Sequence, residues 1–193
     1  IDAGRFRRSW IKNCVAIGLS AGFTEPLEST SIHGQLVQLL TLVQEYLSDE
    51  FDFDATPILD RYNQRMGRMY DDFRDLLVIH YQGGRTDSDF WRSRTINDSA
   101  QERLNLWRVK TPLTTDLDAY FGAIDMKLWL YTLDGLGLLD PEVARREIDY
   151  YGLWDDANRA HEEQRRKREH FLRHAIPHEE YLESLVSPAE HLP

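Results

Sequence analysis

From Ile32 onward, apolar residues return every three or four positions, at Leu36, Leu39, Leu40, Val43 and Leu47, the period of one face of an α-helix. This spacing predicts a helix over residues 31–47. The acidic run at residues 48–54 interrupts the pattern. Pro57 then suits the first turn of a second helix, whose buried side should carry Ile58, Tyr62, Met66, Met69, Tyr70, Phe73, Leu76, Leu77 and Tyr81, with Gly83-Gly84 as its stop. Residues 85–98 lack a period and read as loop with short turns, and Ser99 is suited to cap a helix carrying Leu104 and Trp107. Thr111-Pro112 breaks that helix, and a short one is expected near residues 116–121. Residues 126–139 are apolar and Gly-punctuated, so helix and turn fit equally. Pro141 opens a helix through Val143 and Ile148, a charged helix is expected over residues 155–173, and Pro177 opens the last.

Upstream of all these, a short apolar run from Asn13 to Ile17 passes through Gly22 and meets Glu25-Pro26 and a Ser/Thr cluster. That order predicts a strand, a loop and a helix start. Such a junction aims backbone N–H groups and the positive end of a helix dipole at whatever lies before it. Glu28 stands at its mouth. The architecture is therefore mainly helical with an initial strand, without internal repeats, low-complexity tracts or a clear linker.

Composition narrows the partners. The 193 residues are 41% hydrophobic, 11% aromatic and 29% charged, which suits helices around one aromatic core. Thirty-three acidic against 23 basic residues give a net charge of −10, which repels phosphate backbones and anionic membranes, so nucleic acid and membrane are not expected partners. No apolar run approaches the roughly 20 residues that cross a bilayer, and no signal peptide is evident. With Cys14 as the single cysteine, an internal disulfide is excluded and a cytoplasmic setting is the expectation.

Among residues that carry chemistry, Glu28 is the strongest: a carboxylate fixed at a helix start can take a proton from a substrate, although it can equally serve only to complement the dipole. Glu25, followed by Pro26, reads as a cap or backbone acceptor. The N–H groups of Thr30, Ser31 and Ile32 suit an anion or the electron-rich edge of a planar ring. Tyr81, Phe90 and Trp91 could box a planar substrate or simply fill a core. His170, His174 and His178 fall at four-residue intervals, but Pro177 breaks their helix within an ion-paired surface, so no metal is expected.

The stretch NCVAIGLSAGFTEPLESTSI at residues 13–32 resembles, nearly position for position, the C-terminal part of flavin-dependent halogenases of the tryptophan halogenase family. A second similar block runs from Tyr70 to Tyr81 and on through Arg85-Thr86-Asp87-Ser88-Asp89-Phe90-Trp91-Arg92, with weaker similarity from Ile176 to Tyr181. The family's GxGxxG, catalytic lysine and WxWxIP are not in this sequence, so the resemblance implies the C-terminal portion of a longer FAD-dependent monooxygenase-like flavoprotein, inactive by itself. It further implies that residues 1–35 end an FAD-binding module, the strand joining that module's sheet, and that residues 36–193 form a helical substrate-side domain. Electrophilic halogenation of an electron-rich, indole-type aromatic would use FADH2 from a separate flavin reductase, O2 and a halide ion. By the same resemblance Glu28 is catalytic and faces the substrate; Leu19, Thr30, Ser31 and Ile32 contact the flavin; Thr30 and Ser31 bind halide; and Tyr81, Phe90 and Trp91 hold the substrate. Ser31 replaces a glycine common in the family, which bears on positive φ there. Thr86 and Asp89 replace a glutamate and a proline, so a phenol or larger aromatic scaffold suits as well as free tryptophan. A homodimer stays open. The rival readings are a related flavin monooxygenase and a non-catalytic helical interaction module.

Overall fold

The computed structural model describes residues 3–47, 55–115 and 124–186. The expected helix at residues 116–121 lies outside them. The chain divides into two units, Ile1–Ala144 and Arg145–Pro193.

In the first unit, four two-residue strands form two small antiparallel ladders. β1 (Gly4–Arg5) pairs with β4 (Gly22–Phe23), and β2 (Trp10–Ile11) pairs with β3 (Cys14–Val15). The strand expected from the Asn13–Ile17 run is thus β3, folded onto β2 through Lys12 in a left-handed conformation (φ 52°). Helices follow: α1 (Thr30–Thr41) running into a π-helical turn at Leu42–Tyr46, α2 (Thr56–His80), α3 (Asp89–Arg92), α4 (Asp98–Trp107), α5 (Pro112–Thr115) and α6 (Met126–Gly135). The apolar segment that sequence left open between helix and turn is therefore helical over its first ten residues.

The 25-residue α2 is the centre of the fold. Leu59, Tyr62, Met66, Met69, Tyr70, Phe73, Leu76 and Leu77 bury at helical spacing, with two departures from the pattern: Leu59 takes the place expected for the exposed Ile58, about 100° round the helix, and Ile79 is buried where Tyr81 was expected, because the helix ends at His80 and leaves Tyr81 half-buried just past it. Tyr62 stands edge-on to Trp10 (5.2 Å between centroids) and to Tyr46 (5.3 Å), so β2, the π-turn and α2 share one aromatic knot. Asn63 locks the same junction: its Oδ1 accepts from Trp10 N–H and its Nδ2 donates to Trp10 C=O, both at 2.8 Å. At the other end of the core, Trp107 of α4 packs on Trp129 of α6 at 5.1 Å.

Asp75 is 1% exposed and ties α2 to α4. Its carboxylate accepts from Arg74 (2.9 Å), Asn97 (3.0 Å), Ser99 (2.8 Å) and Arg103 (3.2 Å). Ser99 therefore does not cap α4 as expected. Asn97 occupies the cap position, because the Ser99 hydroxyl gains more from a buried carboxylate than from an exposed helix end.

α1 departs from its pattern. Its spacing predicts a helix correctly, but Thr30, Gly34, Gln38 and Thr41 face inward, while Ile32, Leu36, Leu39, Leu40 and Val43 are exposed. Close packing explains the inner face. A Cβ at Gly34 would lie 2.8 Å from the Phe73 ring, so only glycine lets α1 approach α2 here. Gln38, fully buried, turns its Oε1 to the N–H of Gly18 at 2.8 Å. The apolar stripe is left uncovered by the described residues.

In the second unit, most of α7 (Pro141–Tyr151), α8 (Trp154–His174) and α9 (His178–Val186) follow the expected order. No residue of α8 is buried. Its charged face is laced at i,i+3 and i,i+4 by Arg165 with Glu162 and Glu169 and by Lys167 with Glu163.

Candidate functional site

Gly18 opens a 3-10 turn at Gly18–Ser20 with φ +64°, and the chain then runs through β4 to Thr24, Glu25 and Pro26. The Thr24 hydroxyl bonds the hydroxyls of Thr30 (3.1 Å) and Ser31 (3.4 Å), drawing the start of α1 back over the loop. Between them lies a tight turn at Leu27–Ser29. Glu28 (φ 59°, ψ 12°) and Ser29 (φ 53°, ψ 27°) are both left-handed, although neither is glycine. Each such residue costs about 1–2 kcal/mol, and strain of this kind concentrates where a side chain must be aimed. The positive φ considered for Ser31 instead falls on these two residues, because Ser31 already lies inside α1. No side chain caps α1.

The turn carries Glu28 Oε1 to 3.5 Å from Nε2 of His80, at the end of α2. The opposite ring nitrogen, Nδ1, lies 2.8 Å from the Leu76 carbonyl, which can only accept. Nδ1 therefore carries a hydrogen, and Nε2 faces the carboxylate, a contact that is favourable when one proton lies between them. Next in the chain, Tyr81 donates its hydroxyl to Glu25 Oε1 at 2.5 Å. Glu25 is thus a side-chain acceptor rather than the cap or backbone acceptor expected, since the left-handed turn swings it toward α2. That bond, then burial, raises the Tyr81 pKa above the ordinary phenol value.

Tyr81, Phe90 and Trp91 come together as expected. Their centroids lie 5.2 to 6.0 Å apart, with Phe90 and Trp91 nearly perpendicular on the single turn of α3. Two guanidiniums cover ring faces: Arg85 sits 4.4 Å from the Trp91 centroid and Arg94 3.8 Å from that of Phe90. Thr30 is buried, whereas Leu19 and Ile32 are 70% and 66% exposed. Thr24 and Arg94 were not singled out by the sequence pattern. His80, which the sequence reads as a helix residue near the site rather than a metal ligand, ends α2 beside Glu28.

Among the described residues, no three His, Cys, Asp or Glu side chains converge to hold a metal ion. The rings of His170 and His174 stack at 4.2 Å on α8. No described helix is long and apolar enough to cross a membrane.

Residues 1–146 match the family model described as Tryptophan halogenase. The chain is 41% identical over 128 residues to the tryptophan 7-halogenase KtzQ of Kutzneria sp. (strain 744), covering 62% of this chain and 23% of that protein. It is 35% identical over 153 residues to the tryptophan 7-halogenase RebH of Lentzea aerocolonigenes, covering 70% and 28%. In structure it is similar to BrvH, a flavin-dependent halogenase from Brevundimonas sp. BAL3, at a TM-score of 0.67 and 31% identity, over 95% of this chain and 36% of BrvH. The chain spans about a quarter of the length of the curated relatives it matches.

Proposed function

This chain belongs to the tryptophan halogenase family, and from that premise we propose that it supplies the substrate side of a flavin-dependent halogenase acting on an indole-type aromatic. Residues 1–35 would complete a flavin-binding module, and residues 36–193 would form the helical substrate-side domain. Reduced FAD, delivered by a separate flavin reductase in the cytoplasm, would supply with oxygen the oxidising power that makes halide electrophilic. The residues present fit such a group. α1 begins without a side-chain cap, so its first N–H groups at Thr30, Ser31 and Ile32 suit an outside acceptor, and Leu19 and Ile32 expose apolar side chains to a ring. Thr30 and Ser31 are the proposed halide contacts.

The chain's own chemistry is proton handling and positioning. Tyr81, Phe90 and Trp91 hold the substrate ring. Once a carbon–halogen bond forms at a ring carbon, the carbon–hydrogen bond there must break, its electron pair returning to the ring and its proton passing to the Glu28 carboxylate. His80 Nε2 is positioned to share that proton. The observation that carries this reading is the left-handed pair Glu28–Ser29, a strained turn that holds a carboxylate against His80, one residue along the chain from the aromatic cluster.

The test is Glu28→Gln in the complete gene product, assayed with FAD, a flavin reductase, halide and indole, with products read by mass spectrometry. Halogenation should fall by about 10²-fold or more while FAD affinity is retained, as expected for loss of a general base. Undiminished turnover removes Glu28 from the chemistry. Oxygenated product regardless of halide points instead to a monooxygenase, and absence of FAD binding to an interaction module.

A further inference from the structure

Leu19 is 70% exposed, yet the turn that carries it is bonded from several sides. Gly18 donates its N–H to Oε1 of Gln38 on α1 at 2.8 Å, and its carbonyl accepts from the Tyr70 hydroxyl of α2 (3.3 Å) and from the Ala21 N–H (2.9 Å). The Ser20 hydroxyl closes the turn on Ile17, accepting from its N–H at 3.1 Å and donating to its carbonyl at 2.9 Å. Gln35 backs the turn: a Cβ at Gly18 would lie 3.1 Å from its Oε1, at a backbone position that is left-handed as well. Leu19 is therefore a large apolar side chain held out on a fixed stem.

Gln38 is the unusual member of this set. It is fully buried on the inner face of α1, where a leucine would fill the same space without losing hydration. Its Nε2 is buried without a hydrogen bond among the described residues, and a half-matched amide destabilises a core. What the side chain supplies in return is the single bond from Oε1 to the Gly18 N–H. The same helix opens with the uncapped N–H groups of Thr30, Ser31 and Ile32, about two turns before Gln38. One rigid element thus carries one proposed flavin contact at its start and holds the other, Leu19, through Gln38. We propose that Gln38 is a positioning residue for the cofactor: it touches no flavin itself, and by fixing Gly18 it keeps Leu19 in register with the start of α1, so that the ring meets a site already ordered. This rests on the flavin contacts proposed above.

The test titrates FAD into the complete gene product and reads affinity by quenching of flavin fluorescence, with folding checked separately by thermal unfolding without FAD. Leu19→Ala should weaken binding by removing the contact, and Gln38→Leu should weaken it about tenfold by freeing the turn. Because Gln38 acts through Leu19, the two losses should not add: in the Leu19→Ala background, Gln38→Leu should change affinity by less than about twofold. Gln38→Glu, which keeps an acceptor for the Gly18 N–H, should recover most of the affinity. In the FAD-free protein, amide hydrogen exchange at Gly18 should quicken in Gln38→Leu and not in Leu19→Ala. If Gln38→Leu does not fold, Tyr70→Phe, which frees the Gly18 carbonyl, takes its place in the same cycle with the same expectation. Unchanged FAD affinity, unchanged exchange at Gly18 or fully additive losses overturn the proposal and leave the flavin reading in place. An unmutated protein that binds no FAD removes the flavin reading, and this proposal with it.

Discussion

Glu28 and Ser29 sit in a region of backbone space that glycine occupies freely and that serine and glutamate enter only at a cost. Nothing in the residue pattern announces that conformation, because neither position carries the glycine or asparagine that signals it. It arises from Pro26, which starts the turn, and from the Thr24 hydroxyl, which holds the start of α1 close. Glu25 shows the same limit: adjacency to proline suggested a local acceptor, and its partner proves to be 56 residues away. The Tyr81–Glu25 bond has a pH signature. Ionising Tyr81 would set a phenolate against a carboxylate, so the folded pKa lies above the ordinary 10.0. The bond's stabilisation is therefore complete below about pH 10 and is lost as pH rises through the folded value. In Glu25→Gln, tyrosinate absorbance should appear at lower pH than in the unmutated protein. An unchanged titration would mean that burial alone raises Tyr81.

At the scale of elements, most of the layout was legible. Apolar spacing located α1, α2, α4 and α7, and charge density located α8, because those patterns follow directly from helix geometry. The tertiary bonds were less legible. Asp75 lies one residue before Leu76 in a run that reads as core, and only contact with α4 reveals why a carboxylate belongs there. With Arg74, Asn97, Ser99 and Arg103 all donating to it, Asp75→Ala removes the bonds that tie α2 to α4, while Arg74 keeps Asp71 and Arg103 keeps Asp72, so the loss should be that of charge-assisted hydrogen bonds, about 1.5–3 kcal/mol. Chemical denaturation of the complete gene product should report a loss of that size. A change below about 1 kcal/mol would show that the cluster is held together without its carboxylate. The aromatic cluster was legible as a set, since Tyr81, Phe90 and Trp91 share one short segment. Its covering arginines were not, because cation–ring contacts depend on side-chain direction rather than spacing.

For the molecule as a whole, length and surface point the same way. The chain covers about a quarter of relatives such as KtzQ and RebH, and it exposes Ile32, Leu36, Leu39, Leu40 and Val43 along one helix. A contiguous apolar surface of this kind marks contact with something else. The family reading makes that something the flavin-binding module to which residues 1–35 are proposed to belong. Helical periodicity revealed the stripe but not its direction, because a pattern along one chain is blind to what is packed on either side. A saturation mutagenesis screen would therefore rank α1 in opposite orders depending on context. Selected for foldability of these 193 residues alone, the intolerant positions would be Gly34 and Gln38, and charged substitutions at Leu36 or Leu40 would be enriched for solubility. Selected for halogenated product in the intact polypeptide, those same leucines would join the intolerant set, so that a gain in handling becomes a loss in chemistry.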